Sequence, residues 1–217
     1  MAYVSLYRKW RPQSFSQIVG QDHVSRTLSN AIEADHVGHA YLFAGPRGTG
    51  KTSTAKILAK SVNCLKGSTP EPCGTCESCK TIMNGTSLDV IEMDAASNRG
   101  IDEIRELRDK VAFAATIGRK KVYIVDEVHM LTEHAFNALL KTLEEPPSHV
   151  IFILATTDAH KVPVTISSRC QHFVFRPISM QDMAEHVIKV AKAEKVSIAK
   201  EAALVIARQA EGSLRDA

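Results

Sequence analysis

Short apolar runs alternate with helical stripes along most of the chain. The runs are AYLFA, LDVIEMD, KVYIVDE, VIFILATT and FVF, which begin at residues 40, 88, 121, 150 and 173. Between them, apolar residues recur at the spacing of one helix face, as in Ile101, Ile104 and Leu107. Strands that are apolar on both faces and alternate with helices form a parallel sheet covered on two sides. The pattern therefore predicts an α/β fold built on a parallel sheet with helices on both faces.

The same pattern predicts the domain organisation. After Ser179 only helical stripes remain, so we expect a first domain over residues 1–178 and a small all-helical domain over 179–217. An insertion at about 63–80, rich in proline, glycine and cysteine, interrupts the alternation. The segment up to about Gly20 is predicted to be an irregular strap across the first domain. The chain ends without a helix stop signal, which indicates a truncated second domain.

The clearest chemical motif follows the first predicted strand. Residues 45–53, GPRGTGKTS, fit the P-loop pattern G-x-x-x-x-G-K-[ST], whose backbone N–H groups surround nucleotide phosphates. The glycines let the backbone turn and approach an anion, and the next helix offers its unpaired N-terminal N–H groups. Lys51 is expected to reach the β- and γ-phosphates, and the Thr52 hydroxyl to bind Mg²⁺. The predicted nucleotide-binding residues are Gly45, Pro46, Arg47, Gly48, Thr49, Gly50, Lys51, Thr52 and Ser53.

An acidic pair, Asp126 and Glu127, ends the strand KVYIVDE. By itself such a pair is most often a solvated strand end. In a chain that already has a P-loop, it has the character of a Walker B element. We expect Asp126 to hold Mg²⁺ through water and Glu127 to orient and polarise the attacking water. The two motifs together predict hydrolysis of a bound nucleotide.

Composition excludes several classes of protein. The 217 residues are 44% hydrophobic and 24% charged, which is typical of a globular protein. The formal net charge of +3 permits nucleic-acid binding through a local patch but does not argue for it. The amino terminus has charges and a proline where a signal peptide needs an apolar run, and no stretch is long enough to span a membrane. A cytoplasmic protein without a membrane partner is predicted.

Four of the five cysteines lie close together in the sequence, with the spacing C-x8-C-x2-C-x2-C. Two overlapping C-x2-C pairs and one further thiolate supply the four ligands of a closed, structural zinc site. Unpaired reduced thiols and a redox dithiol are the alternatives, but neither accounts for four cysteines so close together in a cytosolic chain. The predicted zinc ligands are Cys64, Cys73, Cys76 and Cys79.

Several segments resemble the AAA+ ATPases of the clamp-loader group, and they cover nearly the whole chain in order. They are YRKWRPQSFSQIVGQ, GPRGTGKT, the four-cysteine insertion, VYIVDEVHM, FNALLKTLEEPP, LATTD, TISSRC and EGSLRDA. The resemblance implies a P-loop NTPase sheet with a zinc-binding insertion and a helical lid. It also implies an adenine pocket lined by the amino-terminal strap, through Tyr7, Arg11, Pro12, Ile18 and Val19.

The resemblance also implies roles for three residues outside the P-loop. Thr157 takes the sensor 1 position, and Arg215 is the sensor 2 arginine that reaches the nucleotide from the lid. Arg169 is the arginine finger, donated to the ATP of a neighbouring subunit. This role suits an arginine for which no partner motif is found in its own chain.

The function implied is that of an ATP-driven motor subunit of a hetero-pentameric replication clamp loader. The implied partners are the other subunits, the sliding clamp and primed DNA. The protein would contact the sugar-phosphate backbone of that DNA. The helix that starts near Ser97–Gly100 either meets a DNA phosphate or is an ordinary cap. The alternatives are a branch-migration helicase or remodelling ATPase, and a non-hydrolysing scaffold. Intact Lys51, Thr52, Asp126 and Glu127 argue against the scaffold, and no acceptor site suggests a P-loop kinase.

Overall fold

The centre of the fold is a parallel sheet. A computed structural model describes residues 5–217, so the first four residues of the predicted first domain lie outside the described residues. Its strands are β1 Ala40–Ala44, β2 Val90–Asp94, β3 Lys121–Asp126, β4 Val150–Thr156 and β5 Gln171–Val174. Within the described chain they form one five-stranded sheet in the order β2-β3-β4-β1-β5, with every neighbouring pair parallel. All five strands therefore end at the same edge, where ligands bind in open α/β sheets.

Helices connect the strands at nearly the predicted positions. The described α-helices are α1 Leu6–Lys9, α2 Asp22–Glu33, α3 Lys51–Asn63, α4 Glu77–Asn84, α5 Ile101–Val111, α6 Glu133–Glu144, α7 Val164–Ser167, α8 Met180–Ala193 and α9 Lys200–Gln209. Short 3-10 turns occupy Phe15–Gln17, Val128–Met130 and Ala159–Lys161. None of the helices in residues 5–217 has the length and apolar content needed to cross a membrane.

The two faces of the sheet bury separate apolar clusters. Side chains alternate between the faces along each strand. Tyr41 and Phe43 of β1 pack on one face, with apolar residues of α2 and α3. Leu42 packs on the other face, with apolar residues of α5 and α6. The prediction of a parallel sheet covered by helices on both faces is therefore confirmed.

The edge strands depart from the sequence expectation. Only the first residue of β2, Val90, is buried, and three of the four residues of β5 are exposed. Each edge strand pairs on one side only among the described residues, so its packing is less complete than that of β1, β3 and β4. The expectation of strands buried on both faces holds for the three central strands and is wrong for the two edges.

The predicted insertion contains a helix that the sequence analysis missed. α4 buries only three residues, Ser78, Cys79 and Ile82, so its apolar stripe is too short to stand out. The sequence signal that could have revealed α4 is the glycine after its last residue. Gly85 adopts a left-handed conformation with φ +71°, as glycines that follow helices commonly do. Two cysteines of the insertion begin this helix, which gives the segment more regular structure than its composition suggests.

The amino-terminal strap is fixed to both the sheet and the carboxy-terminal helices. Phe15 and Ile18 are buried in the cluster that covers α3. The fully buried amide of Gln21 donates to Arg176 O (2.6 Å) and accepts from Arg176 N (3.0 Å), in the segment between β5 and α8. α8 and α9 share a small apolar cluster of their own, which Val19 of the strap joins. The strap thus lies where the sheet and the last two helices meet.

Candidate nucleotide site and cysteine cluster

The loop between β1 and α3 approaches other backbone segments so closely that side chains are excluded. Gly48 has φ +74°, and a Cβ there would overlap the Ser213 side chain. Leu214 N also donates a hydrogen bond to Gly48 O (3.1 Å). A Cβ on Gly45, whose φ is +152°, would overlap the backbone of Phe175. Steric overlap therefore excludes a side chain at Gly45 and at Gly48. The segment after α9 contacts the loop directly.

Lys51 begins α3 and points back into the loop. Its side chain is buried, and Nζ donates to Gly45 O (2.7 Å) and Pro46 O (2.8 Å). Burial lowers the pKa of Lys51 below its ordinary value, and the nearby Glu127 and Asp126 carboxylates partly offset this by raising it. The ammonium is thus held at the position where the P-loop pattern places phosphate contacts.

Thr52 joins the loop to the acidic end of β3. Its Oγ1 donates to Asp126 Oδ2 at 2.7 Å, although the two residues are 74 positions apart in the sequence. β1 and β3 both end at the same edge of the sheet, and α3 starts directly above that edge. A hydroxyl and a carboxylate at hydrogen-bond distance form the oxygen-rich pair that Mg²⁺ prefers beside phosphates.

Glu127 follows Asp126 in a left-handed conformation, with φ +48°. Its Oε2 accepts from Thr157 Oγ1 (2.8 Å) and Thr157 N (3.2 Å), since β4 ends beside β3. His129 Nδ1 lies 3.4 Å from the same carboxylate oxygen and 2.9 Å from Thr156 Oγ1. Thr157, just after β4, and His129, in the 3-10 turn after β3, therefore both contact the Glu127 carboxylate. Thr156 and His129 were missed as members of this network, and their positions next to Thr157 and Glu127 were the signal.

A cavity of about 570 Å³ opens beside the phosphate loop. The strap, the loop, the acidic pair and the last two helices surround it, and Tyr7, Arg11, Pro12, Ile18 and Val19 all contribute to its wall. Further lining residues that the sequence analysis missed are Trp10, Ile178, His186, Val187, Val190 and Leu214. Of the residues predicted to bind the nucleotide or act on it, all of which are described, Gly45, Pro46, Thr157 and Arg169 lie outside the lining.

The strap is tied to the carboxy-terminal helices across this cavity. Trp10 Nε1 donates to Glu194 Oε1 at 2.7 Å, and Lys9 Nζ lies 2.6 Å from the same oxygen. Hydrogen bonds from Lys9 and Trp10 lower the pKa of Glu194. The guanidinium of Arg215 lies over the Tyr7 ring, 5.2 Å from its centre. Arg215 thus lines the cavity but contacts the strap.

Arg169 lies away from this cavity, close to the end of α6. Its Nη2 is 2.6 Å from Glu144 Oε1, and the Arg169 side chain is 35% exposed. Arg169 therefore has an acidic partner in its own chain that the sequence analysis did not identify. The spacing of apolar residues could not predict this ion pair, because Glu144 and Arg169 are 25 residues apart in the sequence. The turn after α7 brings Arg169 back to the end of α6.

The four clustered cysteines form a compact group. Their sulfur atoms all lie within 4.8 Å of one another. A tetrahedral zinc site with ~2.3 Å bonds needs sulfur separations of about 3.8 Å, so a small contraction would suffice. Backbone N–H groups support the sulfurs, from Cys73 to Cys64 (3.5 Å), Cys76 to Cys73 (3.4 Å) and Cys79 to Cys76 (3.5 Å). Hydrogen bonds from Thr75 and Cys76 lower the pKa of Cys73 to about 5, whereas burial raises the pKa of Cys79.

Comparisons with known proteins agree with this geometry. A family model described as "DNA polymerase III, delta subunit" matches residues 20–179. DNA polymerase III subunit tau of Bacillus subtilis (strain 168) is 56% identical over 217 residues, covering 100% of this chain and 38% of the relative. DNA polymerase III subunit tau of Escherichia coli (strain K12) is 50% identical, covering 100% of this chain and 34% of the relative.

A solved structure is also similar. The Thermotoga maritima RuvB Holliday junction branch migration motor superposes with a TM-score of 0.69 at 22% identity, covering 95% of this chain and 62% of that chain. At this identity the likeness shows a shared fold. The chain spans about a third of the length of the curated relatives it matches. The family match, the relatives and the sheet agree, and the chain belongs to the DNA polymerase III delta subunit family of clamp-loader AAA+ proteins.

Proposed function

We propose that the chain binds and hydrolyses ATP as the motor subunit of a bacterial replication clamp loader, within the DNA polymerase III holoenzyme. The observation that carries the proposal is the 2.7 Å contact between Thr52 and Asp126, which joins the phosphate loop to the acidic end of β3. Glu127, held by Thr157, stands next to that contact. Loop, metal-binding oxygens and a carboxylate for water activation thus occupy one edge of the sheet.

Each residue of this edge has a distinct role. When bound, ATP with Mg²⁺ supplies the phosphoryl group and much of the charge neutralisation. Lys51 and the loop N–H groups would bind the phosphates, while Thr52 would bind the metal directly and Asp126 would hold it through water. Glu127 would orient and polarise the attacking water. Thr157 keeps the Glu127 carboxylate in place, which is the role that we assign to sensor 1.

Two arginines complete the site from other elements. Arg215 lines the same cavity as Lys51, so a change of side-chain conformation away from Tyr7 would bring its charge to the phosphates. Arg169 faces solvent outside the cavity, and we assign it to the ATP of a neighbouring subunit. An arginine in that position stabilises the charge of the phosphoryl-transfer transition state. The adenine would lie against the strap residues from Tyr7 to Val19.

We further propose two domains and a zinc site. Residues 1–178 form the ATPase domain with a zinc-binding insertion at about 63–80, and residues 179–217 belong to a helical lid. The separate apolar cluster of α8 and α9 supports the division. Zinc bound by the four cysteines is structural, because all four tetrahedral positions are filled by protein. Metal analysis of protein purified without chelators is expected to find one zinc per chain, and its absence would refute this site.

The relatives are named as subunits of DNA polymerase III, which supports a role within a multi-subunit complex. We propose that the protein acts in the cytoplasm with other clamp-loader subunits, the sliding clamp and primed DNA, whose backbone it follows through helix starts such as that of α5. Binding of ATP would organise the subunits around Arg169, and hydrolysis would release the clamp. The similarity to RuvB leaves a branch-migration motor as the second candidate. Strand displacement that is indifferent to the clamp would favour that candidate.

The decisive experiment measures hydrolysis by the complete assembly with clamp and primed DNA. Lys51→Ala is expected to abolish stimulated hydrolysis and clamp loading, because it removes the phosphate-binding ammonium. Lys200→Ala, an exposed lysine of α9, serves as the matched control. Stimulated hydrolysis that survives Lys51→Ala would refute the motor assignment. Failure of the protein to bind any nucleotide would instead favour a scaffold.

A further inference from the structure

Lys60 carries a buried charge that has no part in the proposed nucleotide chemistry. It lies in α3, one turn before Cys64, and its side chain is fully buried. Buried lysines are rare unless they are paired, because removing an ammonium from water is costly. Its Nζ donates to Gln13 O (2.7 Å) and Gln13 Oε1 (3.2 Å). The partner of this charge is therefore the backbone and side chain of one strap residue.

Gln13 is the centre of the strap's own hydrogen bonds. Its Nε2 donates to Arg11 O at 2.9 Å, and its N–H donates to Gln17 Oε1 at 2.8 Å. Arg11 and Gln17 both line the nucleotide cavity. Gln13 thus connects Lys60 to two residues of the cavity wall, and the ammonium holds the backbone carbonyl and the side-chain oxygen of Gln13 together.

The other neighbours of Lys60 are the cysteines. Burial lowers the pKa of Lys60, and the proximity of Cys79, Cys64 and Cys73 partly offsets this lowering. Cys64 lies four residues after Lys60, so both side chains lie on the same face at the end of α3. Arg119 holds that helix end, with Nη2 donating to Cys64 O at 3.0 Å. A zinc ion with four thiolates carries a net negative charge, which compensates a buried ammonium.

We propose that Lys60 is a positioning residue that couples the cysteine metal site to the strap wall of the nucleotide cavity, so that zinc loading strengthens nucleotide binding. Zinc fixes Cys64 and the last turn of α3, and with it the ammonium that holds Gln13. Without zinc, the last turn of α3 is freer, and the ammonium holds Gln13 less firmly. The wall from Arg11 to Gln17 then becomes less ordered. The inference rests on the nucleotide and zinc sites proposed above.

The chain contains its own reporter for this coupling. Trp10 is the single tryptophan of the sequence and lines the same cavity. The wild-type chain, Lys60→Met and Lys56→Met are compared, each loaded with zinc and after zinc removal by a chelator. ADP affinity is measured by calorimetry and the strap by Trp10 emission. Lys56→Met is the matched control, because Lys56 is a buried lysine of the same helix that pairs with Glu92 at 2.7 Å instead.

Zinc removal from the wild type is expected to weaken ADP binding about tenfold, the size of one charge-assisted hydrogen bond, and to shift Trp10 emission to the red. Zinc-loaded Lys60→Met is expected to show a loss of the same size, with little further loss when zinc is removed. Lys56→Met is expected to keep the full zinc dependence of the wild type. This pattern is non-additive, as for two groups that act through one contact.

Two results would overturn the coupling. One is unchanged ADP affinity and Trp10 emission in wild-type protein that metal analysis shows to be free of zinc. The other is independent, additive losses from Lys60→Met and zinc removal. If circular dichroism shows that Lys60→Met is unfolded, the wild-type comparison decides alone. If the zinc-free wild type is unfolded, the ADP affinity of zinc-loaded Lys60→Met is compared with that of zinc-loaded Lys56→Met, and equal affinities overturn the coupling. Absence of ADP binding in zinc-loaded wild type would refute the proposed function, whereas binding that ignores zinc refutes only the coupling.

Discussion

A single buried carboxylate organises the loop that leads into β3. Asp89 is 3% exposed and directly precedes β2. Its Oδ1 accepts from Thr116 N at 2.5 Å, and its Oδ2 accepts from Ile117 N at 2.7 Å and Gly118 N at 2.6 Å. Three successive backbone donors thus depend on one side chain. The loop that they belong to sets the start of the strand that ends in the acidic pair.

Replacing Asp89 by asparagine keeps the size of the side chain but removes its charge. One carboxylate oxygen becomes an N–H donor that faces a backbone donor, so at least one of the three hydrogen bonds is lost and the others become neutral. Hydrogen bonds to charged groups contribute about 1.5–3 kcal/mol each, and neutral ones about 1 kcal/mol. We expect Asp89→Asn to lower the free energy of unfolding by about 3 kcal/mol at pH 7.

The effect should depend on pH in a defined direction. Burial by itself raises the pKa of Asp89, but the hydrogen bonds from Gly118, Thr116 and Ile117, together with Lys121, bring it below its ordinary value of 3.8. A lowered pKa in the folded state contributes stability that is present above the unfolded value and is lost as the pH falls through the folded value. The gap between the wild type and Asp89→Asn should therefore be constant from pH 7 to about 5 and narrow below about pH 4.

Urea unfolding followed by circular dichroism at several pH values measures this gap. Asp109→Asn is the matched control, because it makes the same change on a side chain of α5 that is 72% exposed. An Asp89→Asn protein within about 0.5 kcal/mol of the Asp109→Asn protein at pH 7 would refute the reasoning, since that is the usual range of surface substitutions. A gap that stays constant on acidification would refute the pH argument.

Three further substitutions test the nucleotide site. Gly48→Ala should weaken ADP binding at least about tenfold in calorimetry, because φ +74° disfavours a side chain and the methyl overlaps the segment after α9; unchanged affinity would contradict this. Thr157→Val removes the 2.8 Å hydrogen bond that holds Glu127, so kcat for ATP hydrolysis should fall about tenfold with ADP affinity unchanged. A kcat equal to that of the wild type would refute the role assigned to Thr157. Glu144→Gln weakens the 2.6 Å pair that orients Arg169, so hydrolysis by the assembled complex should fall about threefold; an equal fall in the isolated subunit would count against an arginine that acts on a neighbour.

Local motifs were predictable because their chemistry lies in consecutive residues. The phosphate loop needs glycines, a lysine and a threonine at fixed spacing, and the acidic pair follows an apolar strand directly. The cavity wall was predictable only in part. Trp10, His186 and Leu214 come from three distant segments, and no local pattern distinguishes them from ordinary apolar or surface residues. The family resemblance supplied the strap residues that periodicity could not.

Residue types and their spacing were enough to predict a parallel α/β sheet, a phosphate loop, an acidic strand end and a four-cysteine group. The contacts between distant side chains became visible in the folded chain. Thr52 reaches Asp126, Arg169 pairs with Glu144, and Lys60 joins the strap to the neighbourhood of the cysteines. Such contacts depend on strand order and on how the helices pack, and hydrophobic periodicity records only which face of an element is buried.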